Sequence, residues 1–162
     1  MTHSIYPAPE RLAELHSRAV DGFGARVEAV APGQWGDPTP CSDWDVRTLV
    51  NHLVNENAWT APLFKGATIA EVGDRFDGDL LGDDPKGAWA DSAVEAKAAV
   101  SEQGALARTV HLSFGDTPAP EYVMQLTADY VVHAWDLARA VGADERLDPE
   151  LVDVVAAWFA ER

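Results

Sequence analysis

Apolar residues recur at helical spacing through most of this chain, and glycine, proline and aspartate cut the pattern into segments. Leu12, Leu15, Ala19, Phe23, Val27 and Val30 fall on one face, which predicts a first helix from near Pro9 to about Val30, stopped by Pro32-Gly33. A second is expected after Thr39-Pro40-Cys41, with Ser42 as N-cap and Asp45 three residues on as its capping-box partner, running to about Ala61 ahead of Pro62. Residues 64–84 hold Gly66, Gly73, Gly78, Gly82 and several aspartates. They read as a long surface loop, a candidate lid. Asp84 as N-cap and Pro85 at the first helical position open a third helix, with Trp89, Ala93, Ala96 and Val100 in register, ending near Gly104.

Arg108–Phe114 alternates apolar and polar residues ahead of Gly115-Asp116, so a strand or hairpin is expected there. A fourth helix begins at Thr117-Pro118 and is closed by Gly142. A fifth begins at Asp148-Pro149 with Leu151, Val154, Val155, Trp158 and Phe159. Four long helices argue for an all-α, up-and-down four-helix bundle with a short hairpin and a C-terminal fifth helix.

One polar pair interrupts this pattern. Asp129 and His133 lie four residues apart in the otherwise apolar run from Tyr122 to Val141, on the face that carries Tyr122, Leu126, Leu137 and Ala140. A carboxylate and an imidazole at an apolar seam need a partner. One solution is a hydrogen bond between them. The other is a divalent ion, since the i, i+4 spacing aims an oxygen and a nitrogen at one point. His52, at the flank of the second helix with Glu56, Trp59 and Leu63, supplies a third donor. Three ligands from two helices leave coordination positions open, as a catalytic metal requires. Asp136 follows His133 by three residues and can accept from its second ring nitrogen.

Cys41 precedes a helix start, where a thiolate is favoured, yet a single Cys without a spaced partner reads first as a packing residue. His3, His16 and His111 are taken as surface or structural. The acidic run at 71–84 lacks calcium-loop spacing, and neither a phosphate loop nor a nucleophile elbow is present.

Bulk properties narrow the partners. The 162 residues are expected to form one domain, 1–162. A formal charge of -15 disfavours nucleic acid and anionic membranes. One Cys, no run of about 20 apolar residues and no apolar leader fit a soluble cytoplasmic protein.

Thr39-Pro40-Cys41-Ser42-Asp43-Trp44-Asp45-Val46-Arg47-Thr48-Leu49-Val50-Asn51-His52-Leu53 resembles the first signature of the mycothiol-dependent maleylpyruvate isomerase N-terminal domain family. Asp129-Tyr130-Val131-Val132-His133-Ala134-Trp135-Asp136-Leu137-Ala138 resembles its second. That family belongs to the DinB-like superfamily of metal-binding four-helix bundles. The resemblance implies a divalent ion, zinc foremost with nickel, iron or manganese as alternatives, held by His52, Asp129 and His133. Asp129 stands where the isomerase has Glu. It further implies a low-molecular-weight thiol, mycothiol, that attacks an electrophilic small molecule, as in a thiol S-transferase or an isomerase. Trp44, Trp59 and Trp135 are candidate pocket walls, and a homodimer is compatible. A non-catalytic metal- or ligand-sensing bundle and a hydrolase using metal-activated water are the alternative readings.

Overall fold

The structure is a computed structural model and describes residues 5–162; His3 lies outside the described residues. Six α-helices and one hairpin follow in order: α1 (Pro9–Glu28), α2 (Val46–Phe64), α3 (Ile69–Val72), α4 (Pro85–Ser101), β1 (Thr109–Leu112), β2 (Gly115–Pro118), α5 (Ala119–Val141) and α6 (Pro149–Ala160). The strands pair antiparallel, with Thr109 opposite Pro118 and Leu112 opposite Gly115, where the alternation places them.

Local chemistry explains most boundaries. Asp84 accepts from the Gly87 N–H at the start of α4, and Asp148 accepts from the N–H groups of Glu150 and Leu151 at the start of α6. Gly142 ends α5 with φ +76°, a left-handed conformation that glycine takes without a Cβ penalty, and its N–H bonds Ala138 O. Four boundaries differ from the sequence expectation; α5 begins at Ala119 and not at Thr117-Pro118, which pair with Val110 and Thr109 in the hairpin. The N-cap of α2 is Asp45, which accepts from the Thr48 N–H, and not Ser42. Ser42 sits inside a turn fastened by Thr39, whose Oγ1 accepts from the Cys41 N–H at 3.1 Å and lies 2.8 Å from the Trp44 carbonyl. Helix α2 continues through Pro62 to Phe64, because the final turn still bonds through Lys65 N–H to Ala61 O. Helix α4 stops at Ser101, ahead of Gly104 and a 3-10 turn at Ala105–Ala107.

Four helices form the bundle. α1 packs against α4 and α5, and α2 also packs against α4 and α5. The connections from α1 to α2 and from α4 to α5 therefore run across the bundle, and the two helices carrying the candidate donors, α2 and α5, are direct neighbours. Leu12, Leu15, Phe23, Leu49, Leu53, Met124 and Leu137 fill the centre with almost no exposure. Burial of this apolar surface is the main stabilising term. At the α1–α4 crossing Trp89 lies over Gly24, where a Cβ would meet its indole nitrogen at 2.8 Å, so only glycine admits the ring.

The 65–84 connection is more structured than the loop its composition suggests. It contains α3, capped by Thr68, and buries Val72 and Leu81. One stripe of α2 fastens it: Arg47 pairs with Asp79, Asn51 bonds the Gly78 carbonyl and the Leu80 N–H, and Asn55 bonds the Phe76 carbonyl. Among the described residues no helix is long and apolar enough to cross a membrane.

Candidate metal centre

His52 on α2 and the i, i+4 pair Asp129 and His133 on α5 meet at the α2–α5 seam. His52 Nε2 lies 2.8 Å from Asp129 Oδ2, and His133 Nε2 lies 3.2 Å from Asp129 Oδ1. One ligand atom from each of the three falls within 4.8 Å of the others. The side chains of His52, Asp129 and His133 are 29%, 30% and 13% exposed, so the cluster opens to solvent at the seam edge and is not sunk in the core.

Asp136 is buried one turn on, and its Oδ2 accepts from His133 Nδ1 at 2.9 Å, which turns Nε2 toward His52 and Asp129. Cys41, read from the sequence as a packing residue, reaches the same carboxylate: its thiol donates to Asp136 Oδ2 at 3.3 Å, with Sγ 3.9 Å from His133 Nδ1. Nothing in the sequence spacing signals this contact, because it depends on the Thr39 turn that swings Cys41 across to α5. Trp44, from the same turn, packs tilted against both imidazoles, with ring centroids 4.8 Å from His52 and 5.8 Å from His133. It forms one wall of the site.

The other two tryptophans stand elsewhere. Trp135 is 38% exposed, with the Arg139 guanidinium over its ring. About 200° of helical rotation separates it from His133, which removes it from the pocket wall. Trp59 packs edge-on against Phe76 and serves the 65–84 connection. The residue that sequence reasoning passed over is Glu56, one turn beyond His52. Its Oε1 lies 3.4 Å from His52 Nε2, and its Oε2 is buried without a hydrogen-bond partner. The i, i+4 spacing from His52 was the available signal. His16 and His111 behave as structural and surface groups: His16 is fully buried, and His111 pairs with Asp116 on the exposed hairpin.

The charges of the cluster are out of balance. Burial tends to raise the Asp129 carboxyl, but hydrogen bonds involving His133, His52 and Glu56 outweigh it and hold the group well below the usual carboxylate range. Burial, then the neighbouring Asp129, pushes Glu56 well up. Burial opposes charge on His133, while Asp129 and Asp136 more than compensate and raise it. Cys41 is pushed up to about 11 by burial and by Asp136, so it remains a thiol. A divalent cation fits what these residues offer. Two imidazole nitrogens and a carboxylate form a borderline-soft donor set with open positions, and a buried carboxylate oxygen stands beside them with nothing to accept. A groove of about 860 Å³ between α2, α3 and α4, lined by Ala61, Arg75, Glu95 and Glu102, carries none of these donors.

The bundle itself is shared with solved proteins. The structure superposes on that of a mycothiol-dependent maleylpyruvate isomerase with a TM-score of 0.68 at 16% identity, over 81% of this chain and 61% of the isomerase chain. On a histidine-to-alanine mutant of a mycothiol-dependent maleylpyruvate isomerase it gives 0.72 at 15% identity, over 92% of this chain and 68% of the other. Residues 16–138 match the model of the mycothiol maleylpyruvate isomerase N-terminal domain, and the chain belongs to that family. Two uncharacterized proteins of Mycobacterium tuberculosis, Rv0738 of strain ATCC 25618 / H37Rv and MT0763 of strain CDC 1551 / Oshkosh, are each 35% identical over 141 residues. Those residues are 84% of this chain and 70% of each relative.

Proposed function

We propose that this chain is a divalent-metal-dependent enzyme that binds a low-molecular-weight thiol, mycothiol in the first instance, and directs its sulfur at an electrophilic small molecule. The observation that carries the proposal is the convergence of His52, Asp129 and His133 within 4.8 Å at a solvent-open seam. Family membership supports the choice of thiol. His52 Nε2, Asp129 and His133 Nε2 would hold the ion, zinc by preference for two imidazoles and one carboxylate. Bound there, the ion supplies Lewis acidity that lowers the pKa of a coordinating thiol and presents it as a nucleophile.

The chain's own groups prepare the place. Asp136 fixes the ring of His133, and Cys41 in turn donates to Asp136. Trp44 shields one side of the imidazoles, where lower local polarity strengthens the electrostatics. Cys41, held protonated, does not compete as a nucleophile. The partial exposure of His52 and Asp129 admits a thiol and a second substrate.

Protein purified without chelator or metal-affinity resin, assayed by elemental analysis, is expected to carry about one transition-metal ion per chain. With mycothiol and a panel of electrophiles including maleylpyruvate, turnover should require the thiol, vanish with chelator and return with the ion. A chain that neither retains nor takes up metal, or a rate indifferent to thiol, overturns the proposal.

A further inference from the structure

Glu56 and Asp129 face each other from α2 and α5 and crowd one nitrogen. His52 Nε2 lies 2.8 Å from Asp129 Oδ2 and 3.4 Å from Glu56 Oε1. A single N–H serves one of these oxygens well. No lysine or arginine pairs with either carboxylate among the described residues. The second Glu56 oxygen is buried and accepts no hydrogen bond. Such an atom loses its hydration and gains nothing in return, an arrangement that natural proteins rarely keep without a reason. A carboxylate at position 56 is therefore a specific feature of the seam.

We infer that Glu56 is a fourth protein donor to the ion, completing with His52, Asp129 and His133 a set of two imidazoles and two carboxylates. The inference rests on the metal-binding reading above and goes beyond it in three respects. It gives the Glu56 side chain, whose Oε1 lies nearest the cluster and whose other oxygen accepts no hydrogen bond, a cation to face. It sets two carboxylates against the ion's two positive charges inside a half-buried seam. It also shifts the preferred ion toward those that favour oxygen, iron(II) and manganese(II), relative to the three-donor set.

Cobalt(II) titration of the full chain tests this, using wild type and Glu56→Gln, which keeps the shape and removes the charge. Three readouts are needed: affinity by chelator competition, the visible spectrum, and thermal unfolding with and without cobalt. Without cobalt, Glu56→Gln should unfold at the same temperature as wild type or higher, because the neutral amide fits the same space and can donate to Asp129. With cobalt it should bind at least about tenfold more weakly, gain less thermal stability, and absorb more strongly in the visible as the coordination number falls. A side chain serving only to pack would not reverse sign between the two conditions. If wild type binds cobalt and Glu56→Gln matches it in affinity and spectrum, this assignment is overturned and the proposed function stands. If wild type binds no cobalt, both fall. Should the variant not fold, a crystal structure of the cobalt-loaded wild type decides. A Glu56 oxygen at about 2.2 Å from the ion supports the assignment, and one beyond about 3 Å, in hydrogen-bond range or further, overturns it.

Discussion

Helices α2 and α5 touch through two sets of polar side chains that are adjacent in sequence and opposite in character. Asn57 and Tyr130 are fully buried. The Tyr130 hydroxyl bonds Asn57 Oδ1, Asn57 Nδ2 donates to Ser92 Oγ at 3.0 Å, and Ser92 donates to the Trp89 carbonyl at 2.9 Å. Every group there is neutral and partnered. Their chain neighbours Glu56 and Asp129, about 100° around each helix, sit at the open edge with two imidazoles and an unmatched carboxylate oxygen. His16, whose ring lies edge-on to Tyr130, has no partner on either nitrogen, but burial holds its pKa to about 3 and the ring stays neutral. A structural polar network and a binding one are told apart by how their charges close. The first closes on itself. The second carries charge that its own members do not cancel.

The largest effect is expected at His52. His52→Ala should reduce zinc or cobalt affinity by about 100-fold or more, beyond the 10- to 100-fold typical of residues that only orient ligands. The metal-free circular dichroism spectrum should stay as in wild type. Equal affinity in the two proteins would remove the contrast altogether.

Acid probes the buried side. His16 has a folded pKa of about 3 against 6.5 in the unfolded chain. Between these values the unfolded state binds the proton, so the stability contributed by the neutral ring is present above pH 6.5 and is lost as pH falls toward 3. From pH 7 to pH 5 this is roughly 2 kcal/mol. Denaturant unfolding of wild type and His16→Phe at both pH values should show a shallower pH dependence in the variant by that amount. Parallel curves would contradict it.

Tyr130→Phe leaves the Asn57 carbonyl oxygen buried without its donor and should cost about 1.5 kcal/mol in urea unfolding, while metal affinity changes by less than about threefold. A large loss of metal binding there would show that the two sets are coupled. Asp136→Asn, which weakens the acceptor behind His133, should lower metal affinity by about tenfold and leave the urea midpoint close to wild type. Cys41→Ser retains a donor to Asp136, and its effect on metal affinity should be the smallest, within about threefold.

Much of this was legible in the chain. Pro85, Pro149 and Gly142 mark helix boundaries through covalent and conformational limits that act locally. The alternation at 109–112 marks the first strand in the same way. The spacing of Asp129 and His133 is set by the helical repeat alone. Other features were not legible. Whether Ser42 or Asp45 caps α2 depends on the Thr39 turn, a competition between local hydrogen bonds that composition does not rank. Trp44, Trp59 and Trp135 share a side-chain type, and only packing separates the wall of the site from the anchor of a loop and an exposed ring. The order of helices around the bundle was equally hidden, because connections of this length can reach either neighbour.

Local sequence pattern is enough to mark the long helices, where most begin and end, which faces are apolar, and that an acid and a base stand one turn apart on the last bundle helix. These follow from forces acting within a few residues. Long-range packing brings α2 beside α5, sets His52 against both Glu56 and Asp129, and carries Cys41 across to Asp136. Residues 77 positions apart meet only when apolar faces choose their partners. That choice is made by burial summed over the whole core, which is non-directional and leaves no signature at any single site.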